Sequence, residues 1–432
     1  MLDFRFADAA TFEKTVEFRR EFHKYPEVGW NEYRTTARIA EEMEKLGYEI
    51  HYGKEIIDEK SRVSLVQIDE YSVLIDKAEK DGAKREYLEK VDENFTGLCA
   101  IKKFGNGGPV TILRFDIDAL PVNEPEKDAH KPFREGFASK YKGYMHACGH
   151  DSHIAVGLGM AMLIENMKDR INGEIRFIFQ PAEEECKGGM SVANGGMAEG
   201  ADYYLCGHMG MNLNKTGLFA ASCYGFLSTS KFNVTFKGTP AHAANSPEKG
   251  RSAINAAAAF ILGVNSIPRH SEGNTFVNVG RIEGGTVRNV VAENVVLEME
   301  TRGLNNELNT YMKDSVLRLA EGCAKMYDVE ISIEDAGECG SADCSEEMRD
   351  MVFDIAKEIG LEESIKEIYF GASEDAIYMM NAVKERGGKC TYMMFGSELA
   401  APHHNCDFDF NEETMRIMEE IYCRCIEKLM CK

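Results

Sequence analysis

The chain has 432 residues, 50 of them Lys or Arg and 72 Asp or Glu, for a formal net charge of −22. With 44 % apolar and 28 % charged side chains it is composed like a globular protein, and it is too long for one ordinary core, so two or three domains are expected. The acidic excess disfavours nucleic acid and anionic membrane surfaces as partners, and the opening segment MLDFRFADAATFEKTVEFRR holds no apolar run of signal-peptide length.

From Thr11 to Leu46 apolar positions recur at helical spacing, interrupted at His23-Lys24-Tyr25-Pro26, which predicts two helices joined by a turn. Charges crowd Asp58 to Glu93, an expected exposed insertion with some helix near Lys80 to Val91. Strands are predicted at Gly97 to Lys103 and Val110 to Asp116, then a helix from Ser152 to Met167 and a strand from Glu174 to Gln180. A glycine-rich helix from Met190 to Ala198 and a strand from Asp202 to His208 follow. This alternation predicts an α/β domain with a mixed, largely parallel sheet, in which ligands collect beyond the carboxyl ends of the strands.

After residue 224 the texture changes. Strand Ser230 to Lys237, helix Gly250 to Val264, strands Phe276 to Ile282 and Val290 to Thr301, helix Asn306 to Tyr327 and strand Val329 to Glu334 give the order β-α-β-β-α-β of a ferredoxin-like α+β domain. The most apolar stretch, Ala253 to Ile267, is broken by Asn255 and Asn265 and is too short to span a bilayer. An inserted domain at 225–337, between two parts of a larger domain at 1–224 and 338–432, is the expected organisation.

Metal-ligating residue types gather at the ends of these strands. Cys148 and His150, within His146-Ala147-Cys148-Gly149-His150-Asp151, are two apart and would point the same way in extended backbone. Gln180-Pro181-Ala182-Glu183-Glu184-Glu185 places three adjacent carboxylates after a strand, a repulsive arrangement that a cation or solvent relieves. His208 closes the next strand, and His403-His404 follow the strand Cys390 to Phe395. Taken singly these read equally as a solvated acidic loop or a surface histidine pair. Together they place thiolate, imidazole and carboxylate on one sheet edge, a set suited to one or two first-row divalent ions, zinc or manganese. Such ions polarise carbonyls and acidify bound water, and an adjacent unligated carboxylate can move the proton. The 13 cysteines, odd in number and scattered, read as reduced thiols of a cytosolic protein.

Arg20-Glu21-Phe22-His23-Lys24-Tyr25-Pro26-Glu27, Asp116-Ile117-Asp118-Ala119-Leu120-Pro121, His146 to Asp151, Gln180 to Glu184 and His208-Met209-Gly210 resemble, in order, the motifs of the aminoacylase-like metallopeptidases and amidohydrolases. Segments such as Ile267 to Ser271, Arg288 to Val291 and Glu300 to Gly303 are similar to the members acting on aroyl-glutamate conjugates. The resemblance implies metal ligands at Cys148, His150, Glu184, His208 and His404, two divalent ions per subunit with manganese ahead of zinc, and Glu183 as general base. His404 is preferred to His403 because His404-Asn405-Cys406-Asp407-Phe408-Asp409 fits the family pattern, although Cys406 stands where proline is usual. Asp118 is implied as a carboxylate orienting a ligand histidine, and Asp151 as another such group or a helix cap.

The inserted domain resembles the family's lid and dimerisation domain. There His242 would reach a neighbouring active site to stabilise the oxyanion, and Asn289 and Arg302 would hold the substrate carboxylate. The implied reaction is hydrolysis of an acyl- or aroyl-amino acid amide, with p-aminobenzoyl-glutamate the first candidate. A broader N-acyl- or indole-acetyl-amino-acid amidohydrolase or dipeptidase is the alternative, and an inactive metal- or amino-acid-binding scaffold the non-enzymatic one. The implied partners are the small-molecule substrate and either a second copy of the chain or a homologous B-type subunit, with no nucleic acid and no membrane.

Overall fold

The computed structural model describes residues 2–63 and 71–431, without the Glu185 side chain. The chain divides into two compact units, one comprising Met1–Tyr224, Ala342–Phe370 and Asp375–Lys432, the other Gly225–Ser341 and Gly371–Glu374.

In the first unit, helix α1 (Ala9–Lys24) starts at Asp8, whose side chain accepts from the amides of Ala10 and Thr11. It stops where Pro26 forces Tyr25 out of the helical region, and α2 (Tyr33–Lys45) begins after the turn. The sheet is built from β1 (Glu49–Tyr52), β2 (Leu98–Phe104), β3 (Val110–Asp116), β4 (Gly173–Gln180), β5 (Tyr203–Met209), β6 (Phe219–Ala220) and β7 (Lys389–Phe395), in the spatial order β1-β2-β4-β3-β5-β7-β6. The four central strands β4, β3, β5 and β7 are parallel, and antiparallel pairings close both edges. Six of the seven residues in each of β3, β5 and β7 are buried, the near-continuous pattern of a parallel sheet covered on both faces.

Helix α3 (His150–Glu165) is buried on almost every side, and Gly157 lets it lie directly on the sheet: a Cβ there would sit 2.7 Å from the ring of Phe179. Helix α4 (Glu413–Met430) packs beside α3 and completes the core with Met415, Met418, Ile421, Tyr422 and Ile426. All cysteines except Cys344, Cys406 and Cys431 are buried.

Two sequence expectations are corrected. The charged stretch 58–93, of which 64–70 lie outside the described residues, is not merely an exposed insertion. Helices Tyr71–Lys80 and Arg85–Leu88 turn Ile75, Ala78, Tyr87, Leu88 and Val91 into the core, because apolar residues recur every three or four positions beneath the charges. The edge strand β1 was not foreseen; its four residues are too few for alternation to declare itself.

The second unit is a four-stranded antiparallel sheet in the order Glu330–Cys339, Ser228–Lys237, Asn294–Gly303, Thr275–Gly284, with helices Ala253–Val264 and Asn306–Tyr327 packed on it. Phe232, Val234, Phe236, Val295 and Leu297 alternate inward from the strands to meet Phe260, Val316 and Ala320 of the helices. This is the ferredoxin-like arrangement. The last strand runs past the predicted Glu334 to Cys339 because a bulge between Asp335 and Gly337 shifts the register and lets pairing continue. Val290, predicted to begin a strand, instead forms an isolated bridge with His242, and the strand starts at Asn294. Among the described residues no helix is long and apolar enough to cross a membrane.

One buried acid gives the first unit a pH dependence. Glu419 on α4 lies 2.5 Å from Thr15 Oγ1, with Gly159 leaving the space, and its Oε2 has no hydrogen-bond partner. Burial pushes its carboxyl up from 4.5 to about 8. The native state therefore keeps a proton that the unfolded chain releases above pH 4.5, so this contribution is complete below that pH and is lost as pH rises through 8. Glu419→Gln is expected to flatten the decline, melting a few degrees above the parent at alkaline pH in thermal scans. A parent whose melting temperature is unchanged from neutral to alkaline pH would contradict this.

Candidate metal centre

Loops at the carboxyl ends of the parallel strands carry the predicted site. β3 ends at Asp116 and leads to Asp118, β4 leads through Pro181 to Glu183 and Glu184, β5 contains His208, and the chain beyond β7 carries His403 and His404. Ala182 sits at φ +52°, a strained conformation held by its N–H donating to buried Glu32 Oε1 at 2.8 Å and its carbonyl accepting from the amides of Lys187 and Gly188. That bend directs the glutamates to the strand end.

Cys148 and His150 are brought together by a turn and not by the extended backbone that their spacing suggested. Gly149 adopts φ +86°, His150 is the first residue of α3, and a Cβ at Gly149 would lie 3.1 Å from the Met209 side chain. Only glycine fits both demands.

Three overlapping groups have ligand atoms within 4.8 Å of one another: Cys148, His150 and His208; Cys148, Glu184 and His404; and His150, Glu183 and Glu184. Cys148 Sγ is 3.5 Å from His208 Nε2, and His404 Nε2 is 3.5 Å from Glu184 Oε1. Ligands around one tetrahedral first-row ion stand at about this spacing, roughly 3.5 Å for sulfur and nitrogen. His208 Nδ1 donates to Met209 O at 2.8 Å and His150 Nδ1 to Asp118 O at 2.9 Å, which leaves both Nε2 atoms as acceptors. His150 Nε2 and Glu184 Oε1 are buried without a hydrogen-bond partner. Buried acceptors of this kind are costly unless a cation meets them, so the residues present fit a divalent metal.

The electrostatics agree. Burial, then the charges of Glu184 and Glu183, push the Cys148 thiol far up, and burial together with Asp118 raises Glu184. Burial pulls His150 down, but Asp116 and then Asp118 outweigh it and lift it to about 10. The cluster is short of positive charge, which a divalent ion supplies.

Asp118 partly departs from its expected role. Its main-chain oxygen, not its carboxylate, takes the His150 hydrogen bond; Oδ1 lies 3.3 Å from His150 Nδ1 and Oδ2 accepts from the Glu184 amide at 2.9 Å. Asp151 neither caps α3 nor meets a ligand histidine, but pairs with Arg19 and His23. Of the two adjacent histidines, His403 points its Nε2 at Met209 O, 3.1 Å away, while His404 faces Glu184 and Cys148. The sequence reading missed Asp116 and His153, joined at 2.5 Å with Asp116 also 3.7 Å from His150 Nε2. The signal available was His153 three residues after His150, on one helix face.

His242, Asn289 and Arg302 belong to the second unit. His242 is exposed, bridges Val290, and its Nδ1 accepts from the amides of Ala244 and Asn245, which puts the ring proton on Nε2. The Ala243 amide donates to Asn289 O at 3.0 Å, so His242 and Asn289 are neighbours. Arg302 is not with them. Asn294 pairs with Lys237 at the near end of its strand, whereas Arg302 pairs with Thr229 at the far end, roughly 25 Å away at the rise of a β-strand. There its Nε and Nη2 both donate to Glu300 at 3.0 Å.

A hydrolase site at the strand ends of an α/β unit, with a ferredoxin-like unit inserted in the chain, defines a class, and the comparisons agree. Residues 112–428 match Peptidase family M20/M25/M40, and the chain belongs to this family: it is a metal-dependent hydrolase of amide bonds that uses divalent ions. It is 39 % identical over 421 residues to the A-type homolog of p-aminobenzoyl-glutamate hydrolase from Haemophilus influenzae, covering 96 % of this chain and 98 % of that protein. It is 38 % identical over 407 residues to the indole-3-acetyl-aspartic acid hydrolase of Enterobacter agglomerans, covering 94 % and 93 %. The crystal structure of the aminobenzoyl-glutamate utilization protein from Klebsiella pneumoniae superposes with a TM-score of 0.81 at 31 % identity, covering 96 % of this chain and 95 % of that one.

Proposed function

We propose that this chain hydrolyses the amide of aroyl-amino acids, p-aminobenzoyl-glutamate first among them, giving p-aminobenzoate and glutamate. The observation that carries the reading is the convergence of Cys148, His150, Glu184, His208 and His404, with the Glu183 carboxylate 3.9 Å from His150 Nε2. Sharing of Cys148 between two of the groups supports two ions, manganese ahead of zinc. When bound, they polarise the scissile carbonyl and lower the pKa of water.

Glu183 is the group that takes the proton from the attacking water and returns it to the leaving amine nitrogen. His242, with its proton fixed on Nε2, is suited to donate to the oxyanion. Arg302 is suited to the substrate carboxylate through the face of its guanidinium that Glu300 does not occupy. The distance between Arg302 and the His242–Asn289 pair supports their serving one substrate from two protomers, in a homodimer or with a homologous B-type partner, as the name of the Haemophilus relative suggests for that protein.

Matched p-aminobenzoyl conjugates of glutamate, aspartate and leucine test the reading. The glutamate conjugate is expected to have the highest kcat/KM, and Arg302→Ala to raise its KM about 10- to 100-fold with kcat little changed. Equal rates on all three would contradict it. A preference for indole-3-acetyl-aspartate would favour the second reading, which the Enterobacter relative supports.

A further inference from the structure

Arg19, on α1, is entirely buried and carries three carboxylates. Its Nε donates to Asp151 Oδ2 at 2.9 Å, its Nη2 to Asp409 Oδ1 at 2.6 Å and its Nη1 to Glu412 Oε1 at 3.2 Å. Phe410 lies against the guanidinium, 4.3 Å from ring centroid to Cζ.

Two of these acids belong to the segments that supply the metal ligands. Asp151 follows His150. Asp409 closes the base of the loop that holds His404, where Leu399 bridges Phe410 and the Ala400 amide donates to Asp409 O at 2.8 Å. At the loop tip His404 has φ +65°, and its N–H donates to the carbonyl of Ala147, the residue before Cys148, at 2.8 Å. The two ligand segments therefore touch at one main-chain hydrogen bond and are fastened a second time through Arg19.

We propose that Arg19 is a positioning residue, which holds segments 147–151 and 399–410 in register so that His404 meets Cys148 and Glu184. A buried ion cluster adds little stability over a well-packed apolar one, and its distinctive product is fixed geometry. A planar guanidinium with donors in three directions sets the angles between its partners, whereas an ammonium is a point charge and does not. The inference rests on His404 being a ligand.

The test is a double-variant cycle read by Co²⁺ titration of the metal-stripped full chain, following the visible d–d absorption. Asp409→Asn leaves Arg19 two acids and is expected to weaken Co²⁺ binding about tenfold in the parent, but less than about twofold in a His404→Ala background. Circular dichroism and the melting temperature of the chelated protein should match the parent. If Asp409→Asn does not fold, Arg19→Lys takes its place under the same criteria. Unchanged affinity in the parent, or equal weakening in both backgrounds, overturns the positioning role and leaves the ligand assignment standing. Unchanged Co²⁺ affinity in His404→Ala alone overturns the ligand assignment, and the positioning role with it.

Discussion

Glu183→Gln is expected to lower turnover about 100- to 10,000-fold, the usual range for loss of a general base, with metal content and fold retained. Glutamine keeps the shape of the side chain and cannot accept the water proton. The neighbouring Glu184, one residue on, is the contrast. It belongs to two of the ligand groups, so its replacement should empty the site, and the pair of variants separates base from ligand. Steady-state kinetics beside elemental analysis of each purified variant makes the distinction. A loss below about tenfold in Glu183→Gln, with metal still bound, would give the proton transfer to another group.

The second large effect concerns Cys148. Its sulfur is the shared member of the Cys148–His150–His208 and Cys148–Glu184–His404 groups, so Cys148→Ala removes a donor from both at once. Divalent-metal affinity is expected to fall about 100-fold or more, beyond the range for groups one step behind a ligand. In the metal-free protein burial and the Glu184 charge hold the thiol protonated, so binding must release that proton and tighten as pH rises. Isothermal titration with Mn²⁺ at two pH values reads both the affinity and its slope. Equal affinities for the variant and the parent would remove Cys148 from the ligand set.

What could be read from the residues alone follows a physical division. Parallel strands declare themselves by unbroken β-branched and aromatic runs, and the ligands of a site at their ends come from the few residues after each run, so Glu183, Glu184, His208 and the Cys148 loop were legible. The order of the second unit was legible too, because each of its strands alternates and each of its helices repeats over several turns. Other features depend on distances that sequence spacing does not encode. Arg302 lies 13 residues beyond Asn289 by residue number, yet a straight strand carries it away, and only the pairing register shows this. Arg19, Asp151 and Asp409 join α1, α3 and the loop before α4 across most of the chain, and no local pattern announces such a contact. Asp116 read as the last residue of a strand, and its bond to His153 appears only when α3 is laid on the sheet. The apolar positions of 71–91 were hidden by the charges around them.

The most direct test of the metal-dependent reading is p-aminobenzoate release from p-aminobenzoyl-glutamate by the chelator-treated chain, measured during stepwise return of Mn²⁺ with bound metal counted in the same samples. Release should be absent at the start and rise in proportion to bound metal until the site is full. Undiminished release from the metal-free chain, or saturation with metal and no release, would contradict it.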